Sequence, residues 1–286
     1  MKNKKILITG SNGFIGNYFY QKYKKYYTIS TFSFLNDNFN KIQLNNIETI
    51  IHCSGLAHQM NGASQELYKK VNVDQTIQLA KKAKENGIKH FIFLSTIKVY
   101  GEETDIPYSE NSNCNPKDDY SISKLTAEKK LMEVEDSKFL VSIIRTPLVY
   151  GYNVKGNLKQ LMEVIEKFPV IPLNNIKNKR TMVYIGNLCD TLHKIIKLEK
   201  NGVFIPADDY PLSTTQIIRM VADAKKKKIF LIQIPFLKEL IKIFKPSYYN
   251  RLFKSLEIDN SYTKRELNLQ KNKFSTKYGI KEMVKK

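Results

Sequence analysis

Only five of the 47 basic residues in this 286-residue chain are arginine. Proteins that read nucleic-acid bases lean on the bidentate arginine fork. The net charge of +20, carried almost entirely by lysine, therefore reads as a solvated lysine-rich surface. Abundant Lys, Asn, Ile and Tyr match the bias of an AT-rich genome. Attraction of anionic ligands or of a membrane surface is the alternative use of that charge. Cysteine is also scarce. Cys53, Cys114 and Cys189 form no C-x-x-C pair, which argues against a zinc site or other metal centre and against a disulfide framework. No apolar stretch approaches the roughly 18 residues that span a bilayer. The run Ile6 to Ile8 is too short for a signal-peptide core, so a cytoplasmic protein is expected. A hydrophobic content of 42%, with 11% aromatic, is enough for a substantial core and excludes wholesale disorder.

What is present alternates. Lys4 to Thr9 reads as a short buried strand ending at Gly10, and a helix should run from Phe14 to about Lys25. Tyr27 to Thr31 and Thr49 to Cys53 read as strands, the latter running into Ser54-Gly55. Ser64 to Glu85 has helical spacing at Leu67, Val71, Leu79 and Ala83. His90 to Leu94 is a strand ending in Ser95-Thr96, Tyr120 to about Glu135 a helix, and Phe139 to Arg145 a strand. The strands are continuous apolar runs, which implies a parallel sheet covered on both faces. The expected fold is α/β, a doubly wound Rossmann-type sheet over residues 1–151, with 152–286 mostly a smaller substrate-binding region. Ligands of such sheets sit beyond the carboxyl ends of the strands, where Gly10, Gly55, Thr96 and Arg145 fall. Later, Asn157 to Phe168 and Ile185 to Leu198 read as helices, with a break at Pro169 to Pro172. Lys225 to Lys228 is a charge run. Ile229 to Phe244 is amphipathic and basic, a helix after Pro235. It serves either as a packing helix with a lysine face or as a peripheral membrane contact.

Thr9-Gly10-Ser11-Asn12-Gly13-Phe14-Ile15-Gly16 joins the first strand to the first helix. Glycines permit a tight turn and let backbone amides approach a pyrophosphate at the helix N-terminus. The spacing is G-x-x-G-x-x-G rather than G-x-G-x-x-G. Where an acid would grip an adenine ribose, Ser30-Thr31-Phe32 offers neither a carboxylate nor an arginine, and Asp37 is the nearest acid. NAD and NADP both remain open. Only 17 residues separate Thr31 from Thr49, which compresses this part of the fold.

Tyr120 and Lys124 stand at i and i+4 on one helix face. A phenol that acts as a base near neutrality must lose about 3 pKa units, worth roughly 4 kcal/mol, and nearby positive charge supplies this. Count alone says little. With 17 Tyr and 42 Lys, chance gives roughly 2.5 such pairs, and three occur: Tyr18-Lys22, Tyr20-Lys24 and Tyr120-Lys124. Position selects the third, because it follows a strand ending in hydroxyl residues.

These residues together resemble the extended short-chain dehydrogenase/reductase family, in particular its NAD-dependent epimerase/dehydratase branch of nucleotide-sugar enzymes. Thr9 to Gly16 looks like its glycine motif, and Ile51-His52-Cys53-Ser54-Gly55 like its cofactor-side strand end. Val71 to Thr76 is similar to its VNV-x-GT helix, Leu94 to Gly101 to its SS-x-x-VYG segment, and Tyr120 to Lys124 to its Y-x-x-x-K. Arg145 to Gly151 resembles RPxxVYG. Asn178 to Ile185 is similar to the segment whose arginine meets the sugar nucleotide, and Asp259 to Ile280 to the C-terminal signature. Asn268-Leu269 replaces GW, and Cys53-Ser54 replaces two alanines.

The resemblance implies Thr96, Tyr120 and Lys124 as the catalytic group, with Ser95 the runner-up to Thr96. It implies a dinucleotide (NAD or NADP) held by Gly10, Asn12, Gly13, Phe14, Ile15, Gly16, Cys53, Ser54, Gly55, Ser95, Tyr120, Lys124, Thr146 and Pro147. A UDP-sugar would meet Thr96, Lys98, Asn157 and Arg180. Family dehydratases carry Asp-Glu after the catalytic threonine, where this chain has Ile97-Lys98, so dehydration is disfavoured. The implied activity is a UDP-sugar 4-epimerase of polysaccharide synthesis, with a 4-keto-6-deoxy-sugar reductase as the alternative. A non-catalytic dinucleotide-binding protein is the weaker alternative, since such proteins tend to lose the Tyr or the Lys. A homodimer is compatible with this branch, and no nucleic-acid partner is expected.

Overall fold

The computed structural model describes residues 4–57 and 63–285. In chain order the first part runs β1 (Lys5–Thr9), α1 (Phe14–Tyr23), β2 (Thr28–Phe32), β3 (Thr49–His52), α2 (Gln65–Tyr68), α3 (Gln75–Glu85), β4 (His90–Thr96), α4 (Asp119–Val134) and β5 (Leu140–Thr146). The second part runs β6 (Leu148–Tyr150), α5 (Asn157–Lys167), β7 (Val170–Ile171), β8 (Met182–Tyr184), α6 (Ile185–Leu198), β9 (Gly202–Phe204), α7 (Thr214–Ala224) and β10 (Phe230–Leu231). It ends with α8 (Leu237–Phe244), α9 (Pro246–Phe253), α10 (Ser261–Glu266) and α11 (Thr276–Met283).

Six strands form one sheet in the order β2-β1-β3-β4-β5-β9, and every pairing is parallel. The expected Rossmann-type α/β fold is therefore present. Strand alternation divides the core in two. Ile6, Ile8, Ile51, Ile92, Leu94 and Ile144 face one layer with α1 and α6. Leu7, Ile50, Phe91, Phe93, Val141 and Ile143 face the other with α3 and α4. Burial on both faces is why these strands read as continuous apolar runs rather than alternating ones. At the edge, β2 exposes Thr28, Ser30 and Thr31, and the short passage from Thr31 to Thr49 leaves no strand beyond it.

Several elements differ from the sequence reading. The helix over Ser64 to Glu85 is interrupted by a π-helical stretch at Lys69–Asp74. The break at Pro169 to Pro172 contains β7, which pairs with β10. Beyond residue 151, β9 returns to the main sheet and pairs with β5, so the chain does not divide cleanly at Gly151. Neither β9 nor α7 was read from the sequence. Three residues starting at a glycine give β9 almost no pattern.

Two buried histidines sit in the sheet. His52 Nδ1 lies 2.6 Å from Thr9 Oγ1 and its Nε2 2.9 Å from Thr76 Oγ1. His90 Nε2 lies 2.6 Å from Ser142 Oγ. Burial lowers His52 to about 3 and His90 to about 4. Between those values and the unfolded 6.5, the unfolded chain binds more protons than the folded one. Stability therefore falls as pH drops below 6.5. Each histidine is expected to remove about 2 kcal/mol between pH 6.5 and pH 5. Urea midpoints across that range test this, and His52→Gln should remove about half of the dependence.

Candidate active site

The carboxyl ends of β1, β3, β4 and β5 lie side by side, and the loops leaving them build the site. After β1 the chain turns at Gly10, whose φ of 72° is a left-handed conformation suited to glycine. A Cβ on Gly10 would stand 2.8 Å from the Ser54 amide nitrogen, and one on Gly16 would stand 2.4 Å from the Gly10 carbonyl. The turn thus leaves no room for side chains at these two points. Gly13 N donates to Gly10 O at 2.9 Å and caps α1, which has no acidic residue in its first turn. Asn12 and Gly13 are exposed, while Phe14 and Ile15 pack back against the core. The open amide end of α1, free of competing carboxylates, fits a pyrophosphate.

Cys53, Ser54 and Gly55 follow β3 at the facing rim. Burial pushes the Cys53 thiol up to about 12, so it is an inert thiol. Asn72, fully buried in the π-helical stretch, clamps this loop. Its Oδ1 accepts from Leu56 N at 2.8 Å, and its Nδ2 donates to Leu56 O and Ser123 Oγ at 3.0 Å each. Asn72 was not among the residues expected from sequence. The signal lay in the Val71-Asn72-Val73 motif, and the residue falls within the π-helical stretch Lys69–Asp74.

Tyr120 enters from the first turn of α4, which Asp118 starts with a capping box to Ser121. The Tyr120 and Thr96 side chains are hydrogen-bonded. Burial raises the Tyr120 phenol well above its ordinary value, the Asp118 carboxylate and Tyr68 raise it further, and the Thr96 bond opposes. One turn on, Lys124 Nζ donates to Leu94 O at 2.9 Å and lies 4.4 Å from the Phe93 ring centre. A Cβ at Gly55 would be 3.1 Å from that Nζ, so the ammonium reaches the rim of the β3 loop. Burial lowers Lys124 to about 8, and Glu128 opposes this. Thr96, Tyr120 and Lys124 therefore stand at the end of β4 and face the glycine turn across the β3 loop.

Other expected residues turn elsewhere. Ser95 and Thr96 are consecutive in a strand and point to opposite faces. Ser95 Oγ donates to Glu128 and is removed as an alternative to Thr96. Thr146 Oγ1 donates to Ser95 O at 2.8 Å, and Pro147 is buried beside it, so both brace the rim. Lys98, expected at the substrate, engages Asp118 and Glu102. Against burial, the bonds from Lys98 and Ser121 hold the Asp118 carboxyl below its usual range.

Asn157 is exposed at the start of α5, and its Oδ1 accepts from Arg251 Nη1 at 3.0 Å. Arg180 Nη1 donates to Lys254 O at 3.4 Å. Burial and then the charge of Arg251 lower Arg180 to about 10. Arg251 was missed. With only five arginines in the chain, its rarity was the available signal. A second guanidinium, Arg251, beside that of Arg180 makes a pair suited to a diphosphate. Arg251→Met is expected to raise the substrate KM at least about tenfold with kcat little changed, in steady-state kinetics. Two cavities of about 640 and 390 Å³ adjoin the stretch Asn174 to Asn178, and neither Arg180 nor Tyr120 lines them.

The model of the NAD dependent epimerase/dehydratase family matches residues 6–205. The chain is 36% identical to a UDP-glucose 4-epimerase of Vibrio cholerae over 296 aligned positions, covering 92% of this chain and 90% of that one. It is 28% identical over 184 positions to an N-acetyl-alpha-D-glucosaminyl-diphospho-ditrans,octacis-undecaprenol 4-epimerase of Escherichia coli O157:H7, covering 63% and 55%. Among solved structures, a UDP-N-acetylglucosamine 4-epimerase from Methanobrevibacter ruminantium M1 superposes with a TM-score of 0.81 at 19% identity, over 99% and 98% of the two chains.

Proposed function

Since the chain belongs to the NAD dependent epimerase/dehydratase family of enzymes, we propose that it inverts C4 of a UDP-hexose, as a UDP-sugar 4-epimerase serving glycan synthesis. The observation that carries this reading is the Tyr120–Thr96 hydroxyl pair at the end of β4, one helical turn from Lys124. It is supported by Ile97-Lys98, which puts no carboxylate directly after Thr96 in the chain, where the family's dehydratases carry Asp-Glu.

The glycine turn, the amide end of α1 and the β3 loop would hold a nicotinamide dinucleotide, with Lys124 at its ribose. When bound, that group supplies the two-electron oxidation of a sugar carbinol and its reversal. Thr96 holds the substrate hydroxyl. Tyr120 takes the hydroxyl proton during oxidation and returns it during reduction. A phenol raised by burial needs positive charge beside it to do this, and Lys124 is the cation that reaches the rim. Arg180 and Arg251 meet the diphosphate, and most of the chain beyond residue 151 lines the substrate side. The keto sugar must turn over between the two half-reactions, so the sugar end is held less firmly than the nucleotide end.

The test is direct. The purified protein is incubated with UDP-glucose or UDP-N-acetylglucosamine without added dinucleotide. Appearance of the matching UDP-galactose or UDP-N-acetylgalactosamine is the expected result. Stoichiometric consumption of NADH or NADPH by a 4-keto sugar, with no interconversion, would replace the epimerase by a reductase.

A further inference from the structure

Apolar side chains of folded proteins rarely gather on one exposed face without a partner. Here they do. None of the eight residues of α8 is buried. Phe236 at its cap, Leu240, Ile243 and Phe244 stand at i, i+4, i+7 and i+8, on one helix face. Their exposures are 76%, 51%, 71% and 72%. Phe230, Ile232 and Ile234, in and just after β10, are exposed as well and extend the patch. The reading of this segment as a packing helix therefore fails. Only Leu237 and Ile241 turn partly inward.

Charge identifies what covers the face. Residues 225–254 contain nine basic side chains and a single acid, Glu239. Lys238, Lys242 and Lys245 are exposed along α8 and at its C-terminal end, on the side turned away from its apolar stripe. Lys226 and Lys228 are exposed just before β10. None of these five has a carboxylate partner among the described residues. A second copy of the same face would bring this lysine-rich segment against another with a single acid in each, which repels. An anionic bilayer meets both requirements. It buries apolar side chains at the headgroup boundary and pairs lysines with phosphates, while the long lysine stems lie along apolar surface. Among the described residues no helix is long and apolar enough to cross a membrane, so the contact is interfacial.

We propose that α8 and the segment leading into it from β10 form a docking surface for an anionic lipid bilayer. The surface seats the protein on the membrane with Phe236, Leu240, Ile243 and Phe244 immersed and the long-stemmed lysines of the segment reaching the phosphates. It is independent of the reaction assigned above, because it uses none of the residues at the end of β4.

The experiment is vesicle co-sedimentation of the full chain. The vesicles are phosphatidylcholine alone, or phosphatidylcholine with about one third phosphatidylglycerol. Attraction between a chain of this charge and anionic vesicles could arise from lysines alone, so the deciding variant keeps the charge. Phe236→Ser/Ile243→Ser/Phe244→Ser alters exposed side chains only and should leave the thermal midpoint unchanged. The proposal expects binding to the phosphatidylglycerol vesicles and little to phosphatidylcholine. It expects the triple variant to bind at least about tenfold more weakly. Three results would overturn it: no binding by the parent chain, equal binding by the variant, or a parent dimer in light scattering that the variant converts to monomer.

Discussion

Tyr120→Phe is expected to lower turnover at least about a hundredfold while dinucleotide affinity changes little. The substitution removes one oxygen and leaves the ring that packs 6.1 Å from Tyr68. Thr96 keeps its own place, because its hydroxyl also accepts from Lys98 N at 3.2 Å. The lost oxygen is the group at the end of β4 that we propose carries a proton to and from a sugar hydroxyl held by Thr96. Dinucleotide affinity should survive because the glycine turn and Lys124 are untouched. Turnover by rapid quench, together with calorimetric titration of the dinucleotide, separates the two effects. Near-normal turnover would remove Tyr120 as the acid/base.

The second large effect is on stability. Arg145 and Glu128 form a buried pair that ties β5 to α4. Arg145 Nη2 lies 2.7 Å from Glu128 Oε2, its Nε lies 3.1 Å from the same oxygen, and its Nη1 donates to Tyr100 at 2.7 Å. Ser95 donates to the same carboxylate. Arg145→Met strands a carboxylate that is 1% exposed, and is expected to cost about 3–5 kcal/mol in denaturant unfolding. The double variant Glu128→Gln/Arg145→Met should recover at least half of that, because no charge is then left alone. A loss below about 1 kcal/mol in the single variant would show that the pair does not brace the rim. Glu128 lies one turn beyond Lys124 and Ser95 immediately precedes Thr96, so loosening this network displaces both ends of the proposed catalytic group.

The legible parts of this fold are the local ones. Apolar runs, glycines and helical spacing are written in adjacent residues, and they placed β1, α1, β3, β4, α4 and β5 within a few positions of where they lie. The continuous character of the strands announced cover on both faces, which the two halves of the core provide. At the site, Gly10 and Gly16 were readable because the tight turn excludes any Cβ there. Tyr120 was readable only by its place after β4, since two other Tyr-Lys pairs have the same spacing. Asn72 sits in a readable motif, Val71-Asn72-Val73, but its role lies in bonds to Leu56 and Ser123, which are distant in sequence.

By itself the sequence determined the strand–helix order, the phosphate-binding turn and the chemical types available at the carboxyl ends of the strands. These follow from backbone sterics and hydrophobic periodicity, both short-range. Only the tertiary structure decided which hydroxyl of Ser95-Thr96 meets Tyr120, and that Lys98 is held by Asp118 and Glu102. It alone brought Arg251 to Arg180 and Asn157, and returned β9 to the sheet. It also left the apolar face of α8 uncovered. An amphipathic segment has the same periodicity whether it packs inward or faces solvent, and side chains 94 residues apart acquire a distance only when the chain closes on itself.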